Sequence, residues 1–282
     1  MKKLKKLISI FLFIGMTFFI TNCDDNDDLY YDNTPPSPPR NVITVTGDNR
    51  VDITWDYNNE RDIAGYNVYY NFNYEGRYTL LGNTEDNYFI DFGAENGTIY
   101  YYAVSAYDFN GNESELSYDV VYDVPRPEGF NQAVFDYLKF PKTSGYNFSD
   151  YLIVSFNDVN SDFFFENYEG IFYINVWEDT DIQDVGETND IYDISFAPNS
   201  GWVPLIQGEN VKYEKAIVGH TYIIWTWNNH FAKIRINQIT DQRMVFDWAY
   251  QLVEGEVQLK AGVNSDKRSE FKYVKNNRTA IK

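Results

Sequence analysis

The feature that most constrains this chain is a period of two. From Arg40 onward, apolar and polar residues alternate in short runs. Val51, Ile53 and Trp55 fall on one side, with Asp52, Thr54 and Asp56 on the other. Tyr66, Val68 and Tyr70 repeat the pattern, as do Tyr100, Tyr102, Val104 and Ala106. Successive side chains point to opposite faces of a strand, so this spacing specifies half-buried β-strands. Turn residues interrupt the runs at Gly47-Asp48-Asn49, Asn58-Asn59 and Asn110-Gly111-Asn112. Aromatic residues make up 18% of the chain, which suits pleated surfaces where rings pack beside β-branched neighbours. The expected fold class is all-β: a sandwich followed by a second antiparallel β-domain.

The first of these units has recognisable residues. They are a Pro-rich lead, Trp55 on the second strand, and the runs Asp62-Ile63-Ala64-Gly65-Tyr66-Asn67-Val68-Tyr69 and Gly97-Thr98-Ile99-Tyr100-Tyr101-Tyr102-Ala103-Val104-Ser105-Ala106. With the closing Asp108-Phe109-Asn110-Gly111-Asn112-Glu113-Ser114, they resemble a bacterial fibronectin type III module over residues 38–124. The resemblance implies a seven-stranded sandwich with Trp55 in the core and Tyr100 in the tyrosine-corner position. It implies a spacer or protein-binding unit and no catalysis. No Arg-Gly-Asp triplet occurs, so integrin-type adhesion gains no support.

The N-terminus carries Lys2, Lys3, Lys5 and Lys6, then an apolar run from Leu7 to Ile20. That run is short for a membrane span and suits a signal peptide over residues 1–22. Ile20-Thr21-Asn22-Cys23 resembles the lipobox of bacterial lipoproteins, which implies covalent lipid on Cys23 and attachment to a membrane through it. Cys23 is the single Cys, so the folded part has no disulfide and must stand on its core. Residues 23–37 read as a tether: the acidic run Asp24-Asp25-Asn26-Asp27-Asp28, then Pro35-Pro36-Ser37-Pro38-Pro39 beginning a stiff spacer. Acidic residues directly after the Cys resemble surface-export signals of some Gram-negative lipoproteins. The expected location is therefore the bacterial outer membrane or cell surface. The formal net charge is −19, and the four signal lysines lie outside the mature chain. Such a surface repels phosphate backbones, which argues against nucleic acid as a partner.

Pro125-Arg126-Pro127-Glu128-Gly129 reads as a linker. A C-terminal β-domain is expected over residues 128–262, with a basic tail over 263–282 that either moves freely or lies along the acidic body. Expected strands run 150–156, 170–177, 221–227, 230–237, 244–252 and 256–260, with a possible helical turn at 131–138. Asn228-Asn229 suits a two-residue hairpin turn. That register pairs Trp227 with His230, Trp225 with Ala232, Ile223 with Ile234 and Thr221 with Ile236. Ile223, Trp225, Trp227, Ala232, Ile234 and Ile236 then form the core face. Tyr222, Ile224, Thr226, Phe231, Lys233 and Arg235 form the other. Tyr222, Phe231, Lys233 and Arg235 are the candidate ligand-binding residues, because they mix rings with positive charge on an acidic protein. A loop or second sheet over that face is the alternative.

Residues 219–222, 232–236 and 245–251 resemble the last strands of haem-binding surface lipoproteins. Haem held between two axial histidines does not follow, because His220 and His230 lie roughly 23 Å apart in that hairpin. The densest acidic stretch, Glu178 to Asp193, includes Asp179-x-Asp181-x-Gln183, which imitates the opening of a calcium-binding loop. Asp184 takes the place of the required Gly and Asp190 the twelfth position, so the stretch reads as a solvated loop. Asp179, Asp181 and Asp184 are the ligands if calcium binds at all. No nucleophile elbow, P-loop, dinucleotide-binding Gly pattern or His-Glu-x-x-His occurs. No catalytic residue and no cofactor beyond the lipid are expected. The resulting expectation is a displayed, non-enzymatic binding or adhesion lipoprotein with an extracellular protein or glycan as partner. The rivals are a scavenger of haem or another small ligand, and a carbohydrate-acting enzyme.

If Cys23 is the anchor, Cys23→Ala releases the chain into the soluble fraction and abolishes incorporation of labelled palmitate. A variant that still sediments with membranes, beside a wild type that takes up no label, refutes the anchor.

Overall fold

In the computed structural model, residues 32–259 and the strand Val263–Lys267 are described; the signal, Cys23 and the start of the tether lie outside the described residues. Among the described residues the regular structure is strand, apart from a 3-10 turn at Pro141–Thr143. The first seven strands are β1 (Ile43–Gly47), β2 (Arg50–Thr54), β3 (Ile63–Asn71), β4 (Thr79–Thr84), β5 (Tyr88–Asp91), β6 (Tyr100–Asp108) and β7 (Asp119–Asp123). They form two antiparallel sheets, ordered β1-β2-β5 and β7-β6-β3-β4. The alternation works as the sequence specifies: Val51, Ile53, Tyr66, Val68, Tyr102, Val104 and Ala106 share one buried cluster with Trp55. Trp55 is 3% exposed and meets Tyr66 edge-on at 5.3 Å. The Tyr100 hydroxyl accepts the Glu95 N–H at 2.9 Å, the corner implied by the fibronectin resemblance.

The second sandwich has ten strands. β9 (Gly145–Asn147), β10 (Leu152–Val154), β11 (Phe163–Tyr168), β12 (Ile171–Trp177) and β14 (Val211–Lys215) form a sheet ordered β10-β9-β11-β12-β14. Opposite it lie β8 (Glu128–Phe135), β13 (Asp181–Glu187), β15 (His220–Trp225), β16 (Phe231–Ile239) and β17 (Arg243–Tyr250), ordered β13-β15-β16-β17-β8. Between the sheets Tyr146, Phe148, Phe163, Phe165, Phe246 and Trp248 interlock. Tyr146 meets Phe246 at 5.5 Å and 86°, and Phe148 lies flat against Tyr250 at 5.7 Å and 12°. Such contacts add about 0.5–1.5 kcal/mol each beyond area burial.

Several expectations change here. Residues 131–135, read as the start of a helical turn, belong to β8. Asn131 adopts φ 54° and donates its N–H to Asp247 at 2.8 Å, which holds an irregular edge strand. Residues 181–187, read as acidic loop, are β13. β8, β13 and β14 all lie at sheet edges, where charged residues are tolerated because they discourage pairing with other chains. Residues 256–259 form no strand, and Gln258 makes an isolated bridge with Phe196; residue 260 lies outside the described residues.

The segment read as a linker is a buried clasp. Arg126 is fully buried. Its Nε donates to the Leu259 carbonyl at 2.8 Å, and its Nη1 reaches Glu128 at 3.2 Å. Glu128 also accepts the Tyr192 hydroxyl at 2.7 Å. The Arg126 N–H donates to the Gly47 carbonyl, and the Gly97 N–H donates to the Pro125 carbonyl. Asp123, also buried, accepts the Thr46 hydroxyl at 2.7 Å. The strand β18 (Val263–Lys267), expected to open the basic tail, pairs with β7 and extends the first sandwich's sheet.

Burial outweighs the hydroxyl donors and Arg126 at Asp123 and raises its pKa to about 6. Burial likewise raises Asp162, despite the Phe148 N–H, to about 7. Both groups hold a proton in the folded state at pH values where the unfolded chain has lost it. Their contribution to stability is therefore full below about pH 4 and falls as pH rises towards 7. The urea midpoint should drop between pH 5 and pH 8, and Asp123→Asn should flatten part of that slope. A midpoint that rises across this window refutes the assignment.

Candidate functional site

The β15–β16 hairpin decides what the candidate residues can do. Its loop holds three residues, Trp227, Asn228 and Asn229. The Thr226 N–H donates to the His230 carbonyl, and the Asn229 N–H donates back to the Thr226 carbonyl. Asn229 sits at φ 64°, the left-handed residue that closes a three-residue hairpin. The pairs are therefore Trp225 with Phe231, Ile224 with Ala232, Ile223 with Lys233, Tyr222 with Ile234 and Thr221 with Arg235. The expected two-residue turn placed this register one residue off, and a slip of one moves every side chain of a strand to the other face.

Tyr222 accordingly lies in the sandwich core with Ile224, its hydroxyl donating to the Lys215 carbonyl at 2.6 Å. Phe231, Lys233 and Arg235 occupy the opposite face with Ile223 and Trp225. That face is roofed by residues from 188–202 and by Leu259. Phe231 packs in a cluster with Ile223, Ala197, Trp202 and Leu259. Trp225 stacks on Phe231 at 5.2 Å. The Lys233 ammonium donates to the Ile194 carbonyl at 2.9 Å, and Arg235 donates to the Thr188 carbonyl at 2.9 Å. The four candidates do not share an open face; three of them fasten a covering loop. The histidines are also engaged. His220 Nδ1 lies 2.9 Å from Asp184, and His230 Nδ1 donates to the Gln251 carbonyl at 3.0 Å.

Asp181 and Asp184 lie three apart on β13 and so point to opposite faces. Asp181 accepts the Lys212 ammonium at 2.7 Å and Asp184 faces His220. Asp179 is exposed in the turn before the strand. The three carboxylates do not converge, because the spacing that imitates a calcium loop is here drawn out as strand.

A partly exposed face lies elsewhere, on the outside of the sheet containing β11, β12 and β14, where Tyr137 and Phe156 cover Phe164 and the rings towards β14 stay accessible. Phe163 and Phe165 point inward from β11, as do Ile174 and Val176 from β12; the residues between them point out. Phe164, Asn175 and Tyr213 form one row across the three strands, and Glu166, Tyr173 and Lys215 the next. Trp177 flanks Phe164 at 5.5 Å, and Tyr173 meets Tyr213 at 5.4 Å. Tyr213 is 46% exposed, while Tyr173, Trp177 and Glu166 are half-buried. The Asn175 amide donates to Glu166 at 3.1 Å. Burial, then the negative charge and hydrogen bonding of Glu166, raise the pKa of the adjacent Tyr137. Rings thus surround a hydrogen-bonded polar centre. The alternation Phe172-Tyr173-Ile174-Asn175-Val176-Trp177 already carries this face. Tyr213 is harder to find, because Val211-Lys212-Tyr213-Glu214-Lys215 reads as charged surface. A second opening is a polar cleft of about 560 Å³ where Ser37 and Arg40 meet the loop from Asp56 to Glu60. Burial acts to raise the pKa of Glu60 there, but hydrogen bonds from Ser37 and Asn58 prevail and hold it at about 2.

No protein-family model matches the chain. It is 38% identical over 99 residues to an amylopullulanase of Thermoanaerobacterium saccharolyticum, a stretch covering 35% of this chain and 7% of that protein. It is 37% identical over 99 residues to the amylopullulanase of Thermoanaerobacterium thermosulfurigenes, covering 35% of this chain and 5% of that one. Among solved structures, a fibronectin type III-like protein from Clostridium thermocellum is 28% identical, covers 30% of this chain and 88% of its own, and superposes with a TM-score of 0.27. The first sandwich has the two-sheet, seven-strand arrangement that the fibronectin type III resemblance implies. The chain spans only a small fraction of the length of the amylopullulanases it matches.

If Asp181 serves as the partner of buried Lys212, Asp181→Ala should cost about 1–3 kcal/mol, and titration with Ca²⁺ should give no saturable heat. Micromolar calcium binding that is lost in Asp181→Ala refutes this.

Proposed function

We propose that this chain is a lipid-anchored, surface-displayed lipoprotein whose folded part binds an extracellular partner and does no chemistry. The observation that carries the reading is the accessible aromatic face on β11, β12 and β14. It places Tyr173, Trp177 and Tyr213 together and partly exposed on rigid strands, where a folded domain would otherwise bury them. The preceding chain supports display. A signal, a single Cys, an acidic run and a Pro-rich spacer all come before the first sandwich. The buried clasp at Arg126 adds a fixed joint, so the first sandwich acts as a rigid extension carrying the second outward. Similarity to short stretches of two amylopullulanases supports a setting beside polysaccharides, in the role of an accessory segment.

External protease added to intact cells that express the full chain should degrade it without lysis. Incubation of the purified full chain with polysaccharides should release no new reducing ends. Protection of the chain in intact cells refutes display, and turnover of any glycan refutes the non-enzymatic reading.

A further inference from the structure

The outer face of β11, β12 and β14 has a chemistry narrow enough to name its ligand. We infer that it binds an uncharged polysaccharide chain, with sugar rings stacking on Trp177 and on the Tyr173–Tyr213 pair, and hydroxyls meeting Glu166, the half-buried carboxylate that Asn175 holds in place. This rests on the binding reading above and specifies its ligand.

A pyranose ring is amphipathic. It presents flat patches of C–H groups above and below, and hydroxyls around its rim. A binding surface for it therefore needs aromatic planes with hydrogen-bonding groups between them. The three strands supply both. Trp177 and Tyr173 flank Asn175 along β12, and Tyr213 lies beside Asn175 on β14 and meets Tyr173. Same-face positions along a strand lie about 7 Å apart, so Trp177 and Tyr173 are about 14 Å apart and meet separate sugars along one chain. Asn175 is not a mobile surface amide. It is 4% exposed among its neighbours and fixed by its bond to Glu166. Preorganised donors and acceptors of this kind lose little entropy on binding. The accessible rings are spread along the strands above a buried floor, which favours a polymer lying across them over an enclosed small molecule.

Charge narrows the class further. Glu166 is a carboxylate in the middle of the face, and the chain carries a net charge of −19. Lys215, at the margin, is the exposed cation of these two rows. An anionic polymer would meet repulsion at the centre and from the whole body, so the polymer is uncharged. A protein partner would call for a broad apolar patch with a polar rim; this face has the polar groups in its centre and the rings around them.

The test uses the full chain purified in detergent. Its affinity is measured for soluble starch, dextran, mixed-linkage β-glucan and galactomannan, with polygalacturonate as the polyanion. At least one uncharged polymer should bind and polygalacturonate should not. Tyr213→Ala and Trp177→Ala should each weaken binding at least tenfold, with near-ultraviolet circular dichroism and melting otherwise like wild type. Tyr213→Phe should retain binding, because the stacking plane remains. Phe130→Ala, at an exposed position on β8, should change nothing. Binding that survives both alanine variants overturns the inference, as does a preference for the polyanion. If no polysaccharide binds while a purified envelope protein binds and loses affinity in Tyr213→Ala, the glycan inference fails and the binding reading stands.

Discussion

A guanidinium with no exposed surface ties this molecule together. Arg126 lies between the two sandwiches; burying its charge is costly, and its partners offset that cost in part, since Nε and Nη1 are bonded while Nη2 is buried without a partner. Its partners come from Glu128, which starts the second sandwich, and from the Leu259 carbonyl, which follows the last strand of that sandwich. Its own N–H binds the β1–β2 turn of the first. Breaking the joint would strand Arg126 and Glu128 together, so the segment between the domains is less a hinge than a weld. Asp123, three residues before, faces the same site and is held largely neutral by burial near pH 5. The polar content of the junction thus makes its strength depend on protonation.

That joint gives the aromatic face its meaning. On the proposed reading, a long ligand would touch each ring weakly, and the orientation of the face would decide whether the contacts add. A sandwich on a flexible linker would sample all directions. Here buried hydrogen bonds at Arg126 connect the first sandwich, the clasp and the second sandwich. The loop over the other sheet, fastened by Lys233 and Arg235, closes that sheet's outer face and leaves the β11–β12–β14 face as the one with grouped, partly exposed rings.

Much of this was legible in the residues. The alternation around Val51, Tyr66 and Tyr102 fixed the first sandwich, because a period of two leaves one choice of buried face once the turns are marked. Trp55 and Tyr100 took the places the fibronectin resemblance implied. The outward set Tyr173, Asn175 and Trp177 was present in the alternation of β12, though only burial of Phe172, Ile174 and Val176 says which side is out. The edge strands β8, β13 and β14 were not legible, since charged residues with weak strand preference are what a sheet edge selects.

The sequence by itself determined that the chain is all-β, that its first part is a sandwich around Trp55, and that no disulfide supports it. These are local matters of side-chain period and composition. Tertiary structure alone decided the hairpin register, because Asn228-Asn229 suits either loop length and only the packing of Tyr222 and Ile224 against the facing sheet chooses between them. It also decided that Lys233 and Arg235 are fasteners rather than a binding face, that Asp181 pairs with Lys212, and that Arg126 welds where a linker was expected. Each of these depends on which distant residue arrives at a buried polar group, and the spacing of residues along the chain does not carry that information.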